Sequence, residues 1–181
     1  PITVTSILSR LTERLIVQQY LLPAITPDLI ADQFAFRPSG STTAALTFLV
    51  HHVTKFLEDC NYVRVLLIDY SKAFDSVNHE ILADKLKALP IPPFVLNWII
   101  NFLTGRTQAV FCNGTMSRLL KITQSIVQGS GLGPVLYLIM ASDLKTLSPI
   151  NRICKYADDK TLMCPSTTDI SLEDEFQHIL D

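Results

Sequence analysis

Apolar residues recur at the spacing of an α-helix in several parts of the chain. The first such segment follows Thr5 or Ser6 as a helix cap and ends at Pro23. Its apolar stripe consists of Ile7, Leu8, Leu11, Leu15 and Leu22. The second follows Ser41 or Thr42, and its stripe consists of Leu46, Leu49, Val50, Val53, Phe56 and Leu57. The same spacing predicts further helices over residues 78–89, 93–105, 132–147 and 172–180.

The runs between these helices are rich in residues that favour β-strands. Residues 63–70 (VRVLLIDY) form a continuous apolar run, which predicts a buried strand that ends in an acid. Residues 108–112 and 116–122 flank Asn113-Gly114, a pair typical of a type I′ hairpin turn. A second hairpin is predicted where residues 151–157 and 161–164 flank the triplet 158–160. Hairpins between helices favour an α+β fold, with an antiparallel sheet that carries helices on one face.

Composition narrows the class of protein. The chain has 181 residues, of which 48% are apolar, which argues against intrinsic disorder and predicts one domain, or a piece of a larger one. The mean hydropathy of +0.30 and a first residue other than Met favour a fragment or a processed product. A net charge of −2, taken alone, argues against a nucleic-acid-binding protein, which usually carries a basic excess.

The cysteines and the lengths of the apolar runs predict the cellular compartment of the protein. Four cysteines, at positions 60, 112, 154 and 164, have no zinc-site spacing. Three of them lie in apolar strand-like runs, which predicts buried free thiols in a reducing compartment. No apolar run reaches the roughly 18 residues that a membrane span needs, so no membrane association is expected. The expected location is therefore intracellular, in the nucleus, the cytoplasm or both.

Three acids end apolar strand-like runs. Asp69 ends the first strand, and Asp158 and Asp159 stand between the strands of the second hairpin. Taken singly, each of these aspartates is of a residue type that is common in turns. If the strands are neighbours in one sheet, however, the carboxylates converge and their repulsion favours a hard cation such as Mg²⁺. Such a site fits two-metal phosphoryl or nucleotidyl transfer.

Five segments, in order along the chain, resemble the reverse transcriptase domain of non-LTR (LINE-type) retrotransposons. They are residues 1–15, 32–46 (DQFAFRPSGSTTAAL), 67–82 (LIDYSKAFDSVNHEIL), 128–134 (QGSGLGP) and 156–159 (YADD). The resemblance implies a right-hand polymerase palm with part of the fingers. Residues 1–60 would be partial fingers and residues 61–181 the palm with finger insertions, in a single domain fragment without a thumb. The AFDSVNH continuation favours this group over group II intron or telomerase-type enzymes.

The resemblance also implies a metal site. Asp69 matches the palm aspartate that binds both metals, and Asp158 matches its partner ligand. Asp159 matches the second acid of that pair, which in the family is more peripheral to the metals. The backbone carbonyl of Tyr70 would be a further ligand. Two Mg²⁺ ions are expected, with Mn²⁺ as a substitute.

Other matches imply a nucleotide site. Phe74 stands at the family's steric-gate position, which favours deoxynucleotides, although a core aromatic is the alternative. Gln128 matches the glutamine that lies along the incoming nucleotide, and Gly129 lets the backbone approach closely. Arg37 matches a finger residue expected to meet the triphosphate, and its alternative is a solvated loop arginine.

The activity implied is RNA-directed DNA synthesis, with an RNA template, a DNA primer and dNTPs as partners. The chain departs from the family pattern at Ala35, Ser125, Val127, Gly131 and Lys160. None of these removes a metal ligand, but Lys160 could pair with the acids and compete with a metal. The alternative function is therefore a truncated remnant of a retroelement that has no enzymatic activity of its own.

Overall fold

The computed structural model describes residues 5–180, so residue 181 and the first four residues of the expected fingers segment lie outside it. The chain forms two compact units, each built from two stretches of sequence. The first unit contains residues 5–26 and 72–140, and the second contains residues 27–71 and 141–180. The assignment of residues 1–60 to fingers and 61–181 to palm stays a prediction.

The helices and strands follow the sequence prediction in order and differ from it in length. The helices are α1 Ile7–Ile16, α2 Leu22–Ala24, α3 Thr42–Asp59, α4 His79–Lys87, α5 Pro93–Leu103, α6 Gly133–Met140 and α7 Leu172–Leu180. The strands are β1 Val63–Asp69, β2 Thr107–Gln108, β3 Phe111–Cys112, β4 Thr115–Met116, β5 Leu120–Lys121, β6 Arg152–Tyr156 and β7 Asp159–Pro165. Within residues 5–180, no helix is long and apolar enough to cross a membrane.

In the first unit, Ser6 caps α1 as expected, because its Oγ accepts a hydrogen bond from the N–H of Ser9 at 3.2 Å. A π-helical turn, Val17–Leu21, leads directly into α2. The helical backbone therefore continues past Pro23 to Ala24 instead of ending before the proline. Pro23 follows the π-helical turn, where the Leu22 N–H donates to the Val17 carbonyl, so the i→i−4 ladder is already interrupted at the point where the proline lacks an N–H.

The apolar stripe of α1 does not face the core of this unit. Ile7, Leu8, Leu11 and Leu15 are exposed, whereas Glu13 and Ile16 are buried. The orientation has a polar cause: the Glu13 carboxylate accepts hydrogen bonds from the N–H groups of Gly131 and Leu132. A buried carboxylate needs such donors, and here they determine which side of α1 faces inwards.

The core of the first unit lies where α4 packs against α5 and α6. Asn78 caps α4, since its Oδ1 accepts hydrogen bonds from the N–H groups of Glu80 and Ile81. The fully buried apolar side chains here include Leu82, Leu86, Val95, Ile99, Leu132 and Leu136. The helix predicted over residues 132–147 is wrong at its C-terminal end, because α6 stops at Met140, whose carbonyl accepts a hydrogen bond from Lys85 Nζ.

The Asn113-Gly114 hairpin is confirmed. Strands β3 and β4 pair across it, and the two turn residues have φ angles of 49° and 77°. Positive φ at both positions is the conformation of a type I′ turn, which Asn and Gly tolerate better than other residues. Strands β2 and β5 pair next to it. Cys112 is exposed on β3, so the prediction of a buried thiol is wrong at this position.

The second unit is built on an antiparallel sheet with strand order β1-β7-β6, which confirms the α+β class. One apolar cluster joins Cys154 and Met163 of the sheet to α3 through Leu49, Val53 and Phe56. A second cluster joins the alternate sheet positions to α7 and is made of Ile153, Leu162, Cys164, Ile179, Leu66, Ile68, Leu144 and Leu172. Successive residues of a strand point to opposite faces, so α3 and α7 cover the two faces of the sheet.

Three sequence expectations fail on this sheet. Helices were expected on one face, whereas α3 and α7 cover both faces. Within α3, Leu46, Val50 and Leu57 are exposed, so only part of the predicted stripe is inward. Strand β1 is an edge strand and not a buried one, since Leu67 is 83% exposed. A continuous apolar run cannot distinguish a central strand from an edge strand, because that difference depends on what covers each face.

Cys154 and Cys164 are buried in this sheet, as predicted. Burial raises the pKa of each thiol to about 11, because the charged thiolate loses its hydration. Both side chains are therefore protonated at neutral pH and unreactive.

We predict that Leu162→Ala lowers the free energy of unfolding by about 2–5 kcal/mol, because Leu162 is fully buried on the central strand. The matched control is Leu67→Ala on the adjacent edge strand, where we expect a change below about 0.5 kcal/mol. Urea denaturation of both variants measures the difference. Equal losses would contradict the description of the sheet.

Candidate active site

The three acids predicted from the sequence lie at one end of the β1–β7 pair. Asp69 ends β1, and its partner in the register is Asp159, the first residue of β7. Asp158 directly precedes β7, and both paired aspartates are exposed. Like charges at opposed positions of an antiparallel pair repel each other, so this end of the sheet favours a bound cation.

A two-residue turn presents these acids. Tyr156 and Asp159 are partners in the β6–β7 register, so Ala157 and Asp158 form the turn. The sequence expectation placed Asp159 and Lys160 in the turn and is wrong, since both belong to β7. Ala157 has a φ of 57°, in the left-handed region that residues with a Cβ rarely adopt. This backbone conformation makes the reversal tight enough for two residues.

Gln33 supports this turn, and sequence reasoning missed it. Its side chain is 2% exposed, and its Oε1 accepts hydrogen bonds from the N–H groups of Ala35 and Ala157, each at 3.0 Å. The backbone around Gln33 also pairs with β6: Lys155 N–H donates to the Asp32 carbonyl, and Phe34 N–H donates to the Lys155 carbonyl. Gln33 lies in the quoted segment 32–46, but nothing in the sequence indicates its long-range partner.

A buried charge pair lies under the same segment. Lys155 Nζ is 3.0 Å from Asp32 Oδ1 and donates hydrogen bonds to the carbonyls of Ala141 and Leu144. Lys145 Nζ contacts the other oxygen of Asp32, also at 3.0 Å. Burial lowers the pKa of Lys155, and the attraction of Asp32 opposes that shift. Paired in this way, a buried lysine is tolerated and anchors residues 32–34 to the sheet.

Lys160, one of the departures from the family pattern, is buried behind the acids. It is 2% exposed and stands opposite Lys155 in the β6–β7 register. Its Nζ donates to the Ala157 carbonyl at 2.8 Å and lies 5.4 Å from the centre of the Tyr70 ring. Burial, reinforced by the charge of Lys155, lowers its pKa to about 8, against the attraction of Asp158 and Asp159. Strand alternation places its side chain on the opposite face from Asp159.

Tyr70 and Arg37 belong to the same unit as the acids. Tyr70 follows Asp69 directly, and its hydroxyl donates to the Ile179 carbonyl at 3.0 Å, with a pKa raised by burial. Arg37 is not simply solvated: its Nη1 donates to the carbonyl of Ile30 at 2.9 Å, and its guanidinium lies 5.2 Å from the centre of the Phe34 ring. These contacts fix the loop that carries Arg37.

The other predicted nucleotide-site residues lie in the first unit. Phe74 stacks on Tyr137 with ring centres 4.4 Å apart. Gln128 Nε2 donates to Asp75 Oδ1 at 2.8 Å, and Gly129 has a φ of 94°. The N–H of Ile126 donates to the Phe74 carbonyl, so the structure brings the segments of Phe74 and Gln128 together within this unit.

Two further observations concern the loop that carries Gln128. Ser125, where the family pattern has Gly, adopts a φ of 104°, which is a backbone conformation that favours glycine. Glu13 also holds this loop, since its Oε2 accepts from Gly131 N–H at 2.7 Å and its Oε1 accepts from Ser9 Oγ at 2.9 Å. Glu13 is the second positioning residue that the sequence did not reveal, because a helical glutamate normally faces solvent.

The donor chemistry at the end of β1 and β7 fits a hard divalent cation. Asp69, Asp158 and Asp159 offer carboxylate oxygens, and Tyr70, whose carbonyl is the other expected ligand, directly follows Asp69. Within residues 5–180, no group of three or more His, Cys, Asp or Glu side chains is arranged to enclose a metal ion. Mg²⁺ does not need such an enclosure, because it keeps several waters and binds through one or two carboxylates plus substrate phosphates.

We predict that Gln33→Met speeds amide hydrogen exchange at Ala157 and lowers the free energy of unfolding by about 1–3 kcal/mol. The change removes the acceptor shared by the N–H groups of Ala35 and Ala157. Gln33→Glu keeps an acceptor oxygen and is the matched control. Unchanged exchange at Ala157 in the Met variant, measured by NMR, would show that Gln33 does not support the turn.

We also predict a pH effect of Lys160 in metal-free buffer. Its pKa of about 8 lies below the ordinary 10.5, so between these pH values the unfolded state binds more protons than the native state. The free energy of unfolding therefore rises with pH across this window, by about 3 kcal/mol at most. Lys160→Met should lose that rise, whereas Lys121→Met, at an exposed position, should keep it. Thermal unfolding between pH 7 and about pH 10 tests this, and an identical slope in both variants would refute it.

Known proteins resemble this chain over its whole length. The profile of the family "Reverse transcriptase (RNA-dependent DNA polymerase)" matches residues 1–181. The RNA-directed DNA polymerase from mobile element jockey of Drosophila melanogaster is 31% identical over all of this chain and 20% of its own length. The probable RNA-directed DNA polymerase from transposon BS of the same species is also 31% identical, over 92% of this chain and 19% of its own length. The chain thus spans about one fifth of the curated relatives it matches.

A solved structure shares the fold. Telomerase from Candida albicans, determined in complex with a TWJ fragment of telomeric RNA, superposes with a TM-score of 0.66 over 96% of this chain and 32% of its own. Its identity of 12% supports the fold alone, which is that of a polymerase palm with part of the fingers. Reverse transcriptases generally use divalent metal ions. With its motifs, its acid-bearing hairpin and these relatives, the chain belongs to the reverse transcriptase family of non-LTR retrotransposons.

Proposed function

We propose that this chain is the catalytic part of an RNA-directed DNA polymerase that adds dNTPs to the 3′-OH of a DNA primer on an RNA template. The observation that carries the proposal is the register of β1 and β7, which pairs Asp69 with Asp159 and puts Asp158 beside them. Carboxylates held at the end of a pair of strands have fixed positions. They therefore suit a reaction that depends on positioning and charge neutralisation more than on covalent chemistry.

In this proposal Asp69 and Asp158 would hold two Mg²⁺ ions, for which Mn²⁺ could substitute, and Asp159 and the Tyr70 carbonyl would complete the set of ligands. Bound there, the ions would supply positive charge that lowers the pKa of the primer hydroxyl and offsets the charge of the triphosphate. The protein's own contribution is orientation. Edge strand β1 and the Ala157–Asp158 turn hold the carboxylates towards solvent, where a primer end and a triphosphate can reach them.

The nucleotide site is proposed from the family pattern. Phe74 would act as the steric gate, and its stacking on Tyr137 holds the ring in one orientation, as a gate requires. Gln128 and Gly129 would lie along the incoming nucleotide. Arg37 would meet the triphosphate with the guanidinium nitrogens that its contact to Ile30 leaves available.

A second candidate is a catalytically inactive remnant. The observation in its favour is the strained backbone at Ser125, three residues before Gln128, where the family pattern has Gly. An altered approach to Gln128 would weaken nucleotide binding without unfolding the chain. Under either proposal the location is intracellular, in the nucleus or cytoplasm, where Cys154 and Cys164 stay reduced.

Primer extension on an RNA template tests the proposal. With Mg²⁺ and dNTPs, Asp69→Asn and Asp158→Asn should each lower the extension rate by at least about 100-fold, because each removes charge that holds the ions. Asp28→Asn, an exposed acid of the same unit, is the control and should leave the rate unchanged.

Two outcomes count against the proposal. Full activity in Asp69→Asn or Asp158→Asn would show that the metal ligands are assigned wrongly. A folded chain that binds Mn²⁺ in an Asp69-dependent way but extends no primer would favour the inactive remnant.

A further inference from the structure

Asp75 stands between two residues of the expected nucleotide site in the first unit. It directly follows Phe74 in the chain, and its Oδ1 accepts a hydrogen bond from Gln128 Nε2 at 2.8 Å. Asp75 and Gln128 are 53 residues apart in sequence. One contact between side chains therefore joins the two segments that the family pattern assigns to the nucleotide.

The backbones on either side of this contact are aligned with each other. The Ile126 N–H donates to the Phe74 carbonyl, and the Ser125 N–H donates to the Val77 carbonyl, each at 2.9 Å. Ile126 and Val77 are both buried, so the aligned segments are anchored in the core of the unit. The side-chain contact is thus formed on a frame that backbone hydrogen bonds and packing hold in place without a ligand.

The charge of Asp75 is directed at Gln128. Among residues 5–180, Asp75 forms no ion pair, so no basic side chain competes with the amide for its carboxylate. An ionised carboxylate only accepts hydrogen bonds, and it therefore selects the amide orientation in which Nε2 faces it. The contact is half-buried, which strengthens a hydrogen bond to a charged group relative to the same bond in water.

This orientation leaves the carbonyl end of Gln128 for a ligand. Within the part of the chain that the structure describes, Gln128 Oε1 accepts no hydrogen bond from the protein, and this oxygen is open to solvent. The two ends of an amide are similar in size, so without a charged partner either end could face the ligand. Asp75 thus determines which end of the amide Gln128 presents.

We propose that Asp75 is a positioning residue for nucleotide binding, which holds the Gln128 amide with Oε1 towards the incoming nucleotide. The proposal rests on the proposed function in that Gln128 must lie along a bound dNTP. In this proposal Asp75 touches no substrate and acts only through Gln128. Its effect on nucleotide binding should therefore vanish when Gln128 is replaced.

Two measurements on the full 181-residue chain, with a DNA primer on an RNA template, test the proposal. The first is the KM for the matched dATP in primer extension with Mg²⁺. The second is the dissociation constant of dATP on a primer that ends in a dideoxynucleotide, which reports binding without chemistry. Asp75→Ala should raise both constants about tenfold, as expected for the loss of one hydrogen bond to a charged group, and should change kcat far less.

Three further variants make the test specific. Asp75→Asn keeps an acceptor oxygen and the side-chain size, so it should raise both constants only about threefold. Gln128→Ala should raise both constants by itself, and adding Asp75→Ala to it should cause no further loss. Asp84→Ala removes an exposed acid of the same unit and should change neither constant. Thermal unfolding checks that each variant folds, and Asp75→Asn carries the test if Asp75→Ala does not fold.

Three results would overturn the proposal: unchanged constants in Asp75→Ala, losses that multiply in the double variant, or an Asp75→Asn variant that binds dATP no better than Asp75→Ala. Failure of the proposed function is a separate result. A chain that extends no primer but binds dATP with an affinity that depends on Asp75 contradicts the proposed function and supports the role of Asp75. A chain that binds no dATP contradicts both.

Discussion

The register of the β6–β7 hairpin is the constraint on which the candidate site depends. Side chains alternate between the faces of a sheet, so a slip of one residue would exchange every side chain of β7 between the two faces. Asp159 would then point into the cluster beneath α7, and Lys160 would turn towards the side that now carries the acids. The tight turn at Ala157–Asp158 permits only the observed register.

The left-handed backbone at Ala157 carries a steric penalty, which long-range contacts have to offset. The Gln33 amide and the Lys160 ammonium both act on this residue: the first accepts from its N–H, and the second donates to its carbonyl. A residue in an unfavourable conformation is thus held from both sides. The pattern is typical of functional sites, where neighbouring residues maintain a geometry that the local chain does not prefer.

The sheet also keeps its positive and negative side chains apart, which the net charge of the chain does not show. Lys155 and Lys160 are buried as neighbours, while Asp69 and Asp159 are exposed as neighbours. The net charge of −2 is the sum of such opposed clusters. The net charge therefore says little about what any one site binds, because it averages over sites that differ in sign.

Helix caps and helix ends were predicted correctly from the sequence, because they depend on contacts between residues that are close together in the chain. Ser6, Ser41 and Asn78 cap the predicted helices, and α7 begins and ends where the pattern places it. The sequence left the meeting of Asp69 with Asp158 and Asp159 conditional on their strands being neighbours, and the register of β1 and β7 shows that the strands are paired.

The sequence predictions were wrong where contacts between distant parts of the chain determine which side chains are buried. The exposure of Leu67 depends on the position of β1 at an edge, and the orientation of α1 depends on amides more than 100 residues away from Glu13. The partner of Gln33 is equally distant in sequence. Hydrophobic periodicity does not indicate hydrogen-bond partners that are distant in sequence. The residues that position the site were therefore the ones that the sequence did not reveal.

The exposed thiol of Cys112 has a practical consequence. Cys154 and Cys164 are buried and stay protonated well above neutral pH, and the Cys60 thiol donates to the Tyr62 carbonyl. A maleimide-linked fluorophore offered at pH 7 should therefore attach first at the tip of the β3–β4 hairpin. That position gives the native chain an optical reporter on its first unit without any substitution in the sequence.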